Sequence, residues 1–203
     1  EELGDKPGIM SSLQGIGIIY NYKCEFDQAL NNQKRSLNIS KELDDKHRMN
    51  VSLNNIGNIY INKGKFDTAL DYHKRSLKIK EELGDKSGTA ASLNNIGIVH
   101  WRKIDYDKAL DYYERALVIH EELGEKQGIG KVLNNIGLIY HYKDDYDKAL
   151  NYHERSFKIR EDIIDKNGII DSLSNIAIAY HNKGDYDKAL DYLKRSLKIS
   201  EGL

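Results

Sequence analysis

Four asparagines stand 40 residues apart in this chain, at Asn55, Asn95, Asn135 and Asn175. A carboxamide carries two N–H donors and one carbonyl acceptor. A row of them therefore suits the N–H and C=O groups of an extended peptide and can hold its backbone without reading its side chains. Asn54, Asn94 and Asn134 run beside this row, where water or a neighbouring helix can equally satisfy them. Trp101, the one tryptophan, offers a large rigid surface with an N–H donor, a side chain common at interface hot spots. Arg102 follows it and can pair with an acidic side chain or a terminal carboxylate. His141 and His181 also lie 40 apart, but two imidazoles without a thiolate or carboxylate fall short of a four-coordinate zinc site. No metal site is expected. His73 and His153 replace aromatics in a second row and read as satisfied, half-buried imidazoles. There is no phosphate-cradling glycine loop, no HExxH and no nucleophile elbow. Neither an enzyme nor a cofactor is expected.

The same 40-residue step organises the whole chain. Gly17, Gly57, Gly97 and Gly137 recur with Ala177 in the fifth place, and twelve residues later come Ala29, Ala69, Ala109, Ala149 and Ala189. Such a period is the mark of a repeat architecture. Each period carries two stretches with helical spacing. Leu93, Ile96, Gly97 and His100 share one face of the first, and Ala109, Tyr112, Tyr113, Ala116, Ile119 and Leu123 one face of the second. Turns such as Lys63-Gly64-Lys65 join them, Gly84 and Gly124 suit left-handed C-terminal caps, and Asp85 and Asp165 suit N-caps. A helical glycine costs roughly 1 kcal/mol relative to alanine, so Gly57 needs a packing reason. Close approach to the small Ala69 is the expected one, with Ser36, Ser76, Ala116, Ser156 and Ser196 as a second small row. A single hairpin cannot bury its apolar face, so neighbours must stack. The expected fold is all-α, a right-handed α-solenoid of five antiparallel hairpins, one array over 1–203 with repeats near 6–45, 46–85, 86–125, 126–165 and 166–203. Because the chain opens on Glu1-Glu2-Leu3-Gly4-Asp5-Lys6, the motif of Glu81 to Lys86, it reads as an excerpt of a longer array.

Composition narrows the partners. Thirty-one Lys and Arg against 32 Asp and Glu leave a net charge of -1, without the concentrated basic surface that phosphate neutralisation demands. No nucleic-acid partner is expected. No apolar stretch approaches the ~20 residues of a bilayer span, and the polar opening is no signal peptide. Cys24 stands alone, which excludes an intrachain disulfide and fits a reducing, cytoplasmic location.

The pattern Leu53-x-x-Ile56-Gly57-x-x-Tyr60, Gly64-x-Phe66-x-x-Ala69, then Ser76, resembles the tetratricopeptide repeat over the whole chain. It departs in its period of 40 rather than 34 and in lacking the usual proline after the second helix, which instead runs on through Lys80-Glu81-Glu82-Leu83. This long form is similar to the repeats of kinesin light chains and Pins-type adaptors. The resemblance implies a protein-interaction scaffold whose first helices line a concave groove. The residues then expected to meet a partner peptide are Asn55, Asn58 and Asn62; Asn95, Ile98, Trp101 and Arg102; Lys131, Asn135, Leu138, His141 and Tyr142; and Asn175 and His181. The first repeat differs there, with Gln14, Gly15, Ile18, Asn21 and Tyr22. Asn58, Asn95 and Lys131 match a carboxylate-clamp pattern, but Asn54 and Asn135 stand where its other bases should be. The competing reading is a structural or sensory, self-associating region of a larger signalling protein, its ends uncapped at Tyr192, Leu193 and Leu197.

Overall fold

A computed structural model describes residues 5–202; the polar opening Glu1 to Gly4 and the final Leu203 lie outside the described residues. Ten helices follow one another among the described residues. They are α1 (Lys6–Tyr22), α2 (Phe26–Glu42), α3 (Lys46–Asn62), α4 (Phe66–Glu82), α5 (Lys86–Arg102), α6 (Tyr106–Leu123), α7 (Lys126–Tyr142), α8 (Tyr146–Asp162), α9 (Lys166–Asn182) and α10 (Tyr186–Glu201). The chain divides into two compact units between Lys103 and Ile104. In the first, α1 packs on α2 and α3 on α4, with α2 against α3 and α4 against α5. In the second, α6 lies against α7, α7 packs on α8, α8 on α9 and α9 on α10. The fold class is the expected all-α solenoid of helix hairpins.

The helix limits follow from local chemistry. The carboxylates of Asp45, Asp85 and Asp165 accept hydrogen bonds from the backbone N–H of Arg48, Gly88 and Gly168, closing the first turns of α3, α5 and α9. At the other ends the chain turns through a left-handed residue, at φ 69° for Gly64 and 66° for Gly84. There Gly64 N–H reaches Ile61 O at 2.9 Å and Lys65 N–H reaches Tyr60 O at 2.9 Å, which satisfies carbonyls the helix leaves open. The proline-free second helix does run on, α4 reaching Glu82.

Apolar rows seal one hairpin against the next. In the first unit Ala29, Leu30 and Leu37 of α2 form a buried cluster with Leu53, Ile56 and Ile59 of α3. In the second, Leu150 of α8 meets Ile176 and Ala179 of α9, backed by Phe157, Tyr180 and Tyr192. The small serine row is hydrogen-bonded as well as close-packed. Ser52 Oγ lies 3.1 Å from Ser36 Oγ, and Ser156 Oγ lies 3.2 Å from Ser172 Oγ, both across a hairpin boundary.

The reason for Gly57 differs from the one expected. A Cβ there would sit 2.6 Å from Cε1 of His73, and one on Gly137 would sit 2.6 Å from Cε1 of His153. The glycines make room first for the flat rings of His73 and His153, which stand nearest to them. Both imidazoles are fully buried rather than half-buried.

Candidate functional site

In the first unit two hollows lie along α1 and α3, with residues of α2, α4 and α5 at their borders. One of about 470 Å³ is lined by Asn21, Tyr22, Cys24, Phe26, Ile61, Asn62, Phe66 and Arg102. The other, about 220 Å³, is lined by Gly17, Ile18, Asn21, Tyr22, Gln33, Asn55, Asn58 and Ile59. Asn62 and Arg102 thus meet in one cavity, and Asn55 and Asn58 in the other. Asn95, Ile98 and Trp101 are half-buried and line neither. The Arg102 guanidinium lies 4.8 Å over the Trp101 ring, so the indole orients the cation.

Part of the amide row is occupied within the protein. Asn55 Nδ2 donates to Gln33 Oε1 at 3.3 Å, and Asn62 Nδ2 to Asn21 Oδ1 at 3.1 Å. Each carboxamide keeps its carbonyl, and a second N–H, for another group. The neighbouring row is structural: Asn54 Oδ1 accepts from Nδ1 of His73 at 3.2 Å. Burial pushes that imidazole down to about 4, so it is neutral at physiological pH. Its Nε2 faces the Gly57 backbone without a hydrogen-bond partner.

The second unit repeats this chemistry with more rings. His153 Nδ1 meets Asn134 Oδ1 at 3.1 Å, and Asn175 Nδ2 donates to the same oxygen at 2.9 Å. Burial, then electrostatic repulsion from His141 and Arg160, holds His153 down to about 4 as well. Tyr142 stacks on Tyr106 at 6.0 Å and meets His141 edge-on at 5.8 Å. Asn182 reaches both His141, at 3.4 Å, and His181, at 3.1 Å, so an amide bridges the two imidazoles. Among the described residues no three His, Cys, Asp or Glu side chains converge as metal ligands. Lys131, Tyr142 and His181 are exposed; Asn135, Leu138, His141 and Asn175 are half-buried.

Sequence reasoning passed over the phenylalanines of the larger hollow. Phe26 and Phe66 open α2 and α4 where Tyr106, Tyr146 and Tyr186 open the later second helices. That substitution was the available signal. Two rows of ion pairs were missed as well, one between successive hairpins and one within hairpins. Lys63, Lys103, Lys143 and Lys183 reach back to Asp27, Asp67, Asp107 and Asp147 on the preceding second helix. Lys6, Lys46 and Lys126 pair with Glu42, Glu82 and Asp162. On the second helices Asp71 pairs with Arg75 and Asp111 with Arg115, one turn apart, at 3.6 Å each.

A family model for the tetratricopeptide repeat matches residues 48–122 and 128–202. The chain belongs to the tetratricopeptide-repeat family. Among solved structures it is similar to BtubC (BKLC) from P. vanneervenii, with a TM-score of 0.83 and 23% identity over 98% of this chain and 83% of that one. It is also similar to the putative kinesin light chain TPR-like repeats from Podosopora anserina, with a TM-score of 0.76 and 14% identity over 96% of each chain. A STAND protein with a tetratricopeptide repeat sensor from Pyrococcus horikoshii aligns with a TM-score of 0.83 and 18% identity, over 99% of this chain and 31% of its own. Comparison with curated proteins finds no match. Tetratricopeptide repeats act in protein–protein interaction and are generally non-catalytic scaffolds. Among the described residues no helix is long and apolar enough to cross a membrane.

Proposed function

We propose that this tetratricopeptide array captures an extended peptide of mixed polar and apolar character in a groove lined by its first helices. The observation that carries this reading is the pair of hollows in the first unit, where amides, aromatic rings and one guanidinium face solvent together. Their chemistry selects the ligand class. Asn58 and Asn62 pair with a backbone, Phe26, Phe66 and Tyr22 take an apolar side chain, and Arg102 takes an acidic group. In the second unit Lys131, Asn135, Leu138, His141, Tyr142, Asn175 and His181 offer a surface of the same kind. Asn95, Ile98 and Trp101 contribute from α5, Trp101 by holding Arg102 as well as by direct contact. A reducing compartment such as the cytoplasm suits the exposed thiol of Cys24.

The test is a random peptide library displayed on phage and selected on the wild-type chain, with affinities of the selected peptides read by fluorescence anisotropy. Asn58→Ala with Asn62→Ala, and separately Arg102→Ala, should each weaken binding by about tenfold, or ~1.4 kcal/mol, with the melting temperature unchanged. Peptides that bind these variants as well as wild type would remove the assignment.

A further inference from the structure

We propose that the smaller hollow of the first unit selects a carboxamide side chain, glutamine or asparagine, on the bound peptide. This rests on the peptide-binding reading and adds which side chain one part of that groove accepts.

Two departures from the repeat meet in this hollow. The place of His73 and His153 is taken in the first hairpin by Gln33, and the place of Ile98, Leu138 and Ile178 is taken in α3 by Asn58. Both line the hollow of about 220 Å³, together with Asn21 and Asn55. A buried carboxamide is costly unless its hydrogen bonds are met, and Gln33 is fully buried. Its Nε2 donates to Gln14 O at 2.9 Å, and its Oε1 accepts from Asn55 Nδ2 at 3.3 Å. Those bonds use one of its two N–H groups and one lone pair of its oxygen. What is left is a donor and an acceptor, a combination that a second carboxamide satisfies at once. The amide lies against the bare backbone of Gly17, where a Cβ would sit 2.6 Å from Nε2, and Gly17 lines the hollow too. In the second hairpin the matching polar atom is tied internally, His73 Nδ1 meeting Asn54 Oδ1 at 3.2 Å. Gln14, at the place of Asn54, sends its own amide to Ser52 Oγ at 3.1 Å instead.

The rest of the lining sets the class of ligand. Among the described residues that form it there is no Lys, Arg, His, Asp or Glu. A carboxylate or ammonium entering it would lose its hydration without meeting an opposite charge, a heavy penalty. A purely apolar side chain would cover Gln33 and Asn55 and leave polar atoms unmet, and sites built to hydrogen-bond reject such analogues strongly. A carboxamide avoids both losses, because it is neutral and carries donors and an acceptor together. Ile18 and Ile59 supply an apolar wall for its methylene stem. The larger hollow selects differently, since Arg102 lines it. Asn21 and Tyr22 border both hollows, so a peptide crossing that shared wall can set a carboxamide in one and an acidic group in the other.

Peptides selected from the phage-displayed library on the wild-type chain carry the test. One position among them should be enriched in glutamine or asparagine. For a peptide with glutamine there, fluorescence anisotropy should show that methionine in its place weakens binding about tenfold. Glutamate, its isostere, should weaken binding by about tenfold or more. Gln33→Leu borrows the residue that the fifth hairpin carries at this place, Leu193. It should remove most of the preference for glutamine over methionine, while Arg102→Ala should leave that preference in place. The peptide series on the wild-type chain decides the question even where Gln33→Leu unfolds. Selected peptides that accept methionine or glutamate as readily as glutamine at every position overturn this proposal alone. A preference for glutamine that survives in folded Gln33→Leu overturns it too, since another site would then be reading the amide. A chain that selects no peptide overturns the groove reading and this one with it.

Discussion

At the scale of single residues, the most informative pair is Gly57 and His73. The repeating glycine was legible as a close approach, but its partner was not. Ala69 and His73 lie one turn apart on α4, and which of them faces Gly57 depends on how the turn at Gly64 sets the stagger of the two helices. An added Cβ on Gly57 would be 2.6 Å from two atoms of a ring that is fully buried and cannot swing aside. Alanine gains ~1 kcal/mol of helix propensity, while overpacking costs typically about 1–3 kcal/mol, and a rigid ring places this site at the upper end. Gly57→Ala should therefore lower stability by about 1–2 kcal/mol in urea titration. The fifth hairpin carries Ala177 and Leu193 at the same two places. Adding His73→Leu should accordingly recover most of the loss. A Gly57→Ala variant more stable than wild type would show that the ring has room to move.

Among the elements, helix lengths and pairing were readable because the apolar period and the Asp caps act within one helix. The contacts that cross from hairpin to hairpin, such as Lys63 to Asp27 and Asn175 to Asn134, depend on how far one helix slides along another. No pattern inside a single helix records that slide. The rows of ion pairs and the internal bonds of Asn55 and Asn175 therefore emerge only in the structure. The turns show a cost that the sequence carries openly. The left-handed position between repeats is Gly84 and Gly124 in two cases but Ile164 in another, at φ 59°. A β-branched side chain loses roughly 1–2 kcal/mol there, and Ile164, 77% exposed, has no packing to offset it. Glycine loses more backbone entropy on folding, which returns part of the gain. Ile164→Gly should still raise stability by about 0.5–1 kcal/mol and the melting temperature by a few degrees. An unchanged or lower melting temperature would mean that Ile164 makes contacts that outweigh the strain.

For the whole molecule, two of the buried imidazoles, His73 in the first unit and His153 in the second, make stability depend on pH. His73 and His153 titrate near 4 in the folded chain against 6.5 in an open one. The unfolded chain therefore takes up protons first as pH falls. Their contribution is full above pH 6.5, declines through the window down to about 4, and is on the order of 3 kcal/mol for each ring. The exposed carboxylates act lower. Hydrogen bonds from Lys63 and Lys103 hold Asp27 and Asp67 below the ordinary range, and Lys46 does the same for Glu82. A depressed carboxylate stabilises above its unfolded value and loses that as pH falls through the folded one, so these pairs fail only in stronger acid. The first hairpin shows how to separate the two effects. Gln33 is buried at the histidine position and donates to Gln14 O at 2.9 Å, beside Gly17. Urea unfolding of wild type should thus show stability dropping between pH 6.5 and 4, whereas His73→Gln with His153→Gln should lose most of that drop. If the double variant keeps the wild-type slope, the rings are not the groups that take up the protons, and a solvated path to His73 Nε2 would have to exist despite its burial.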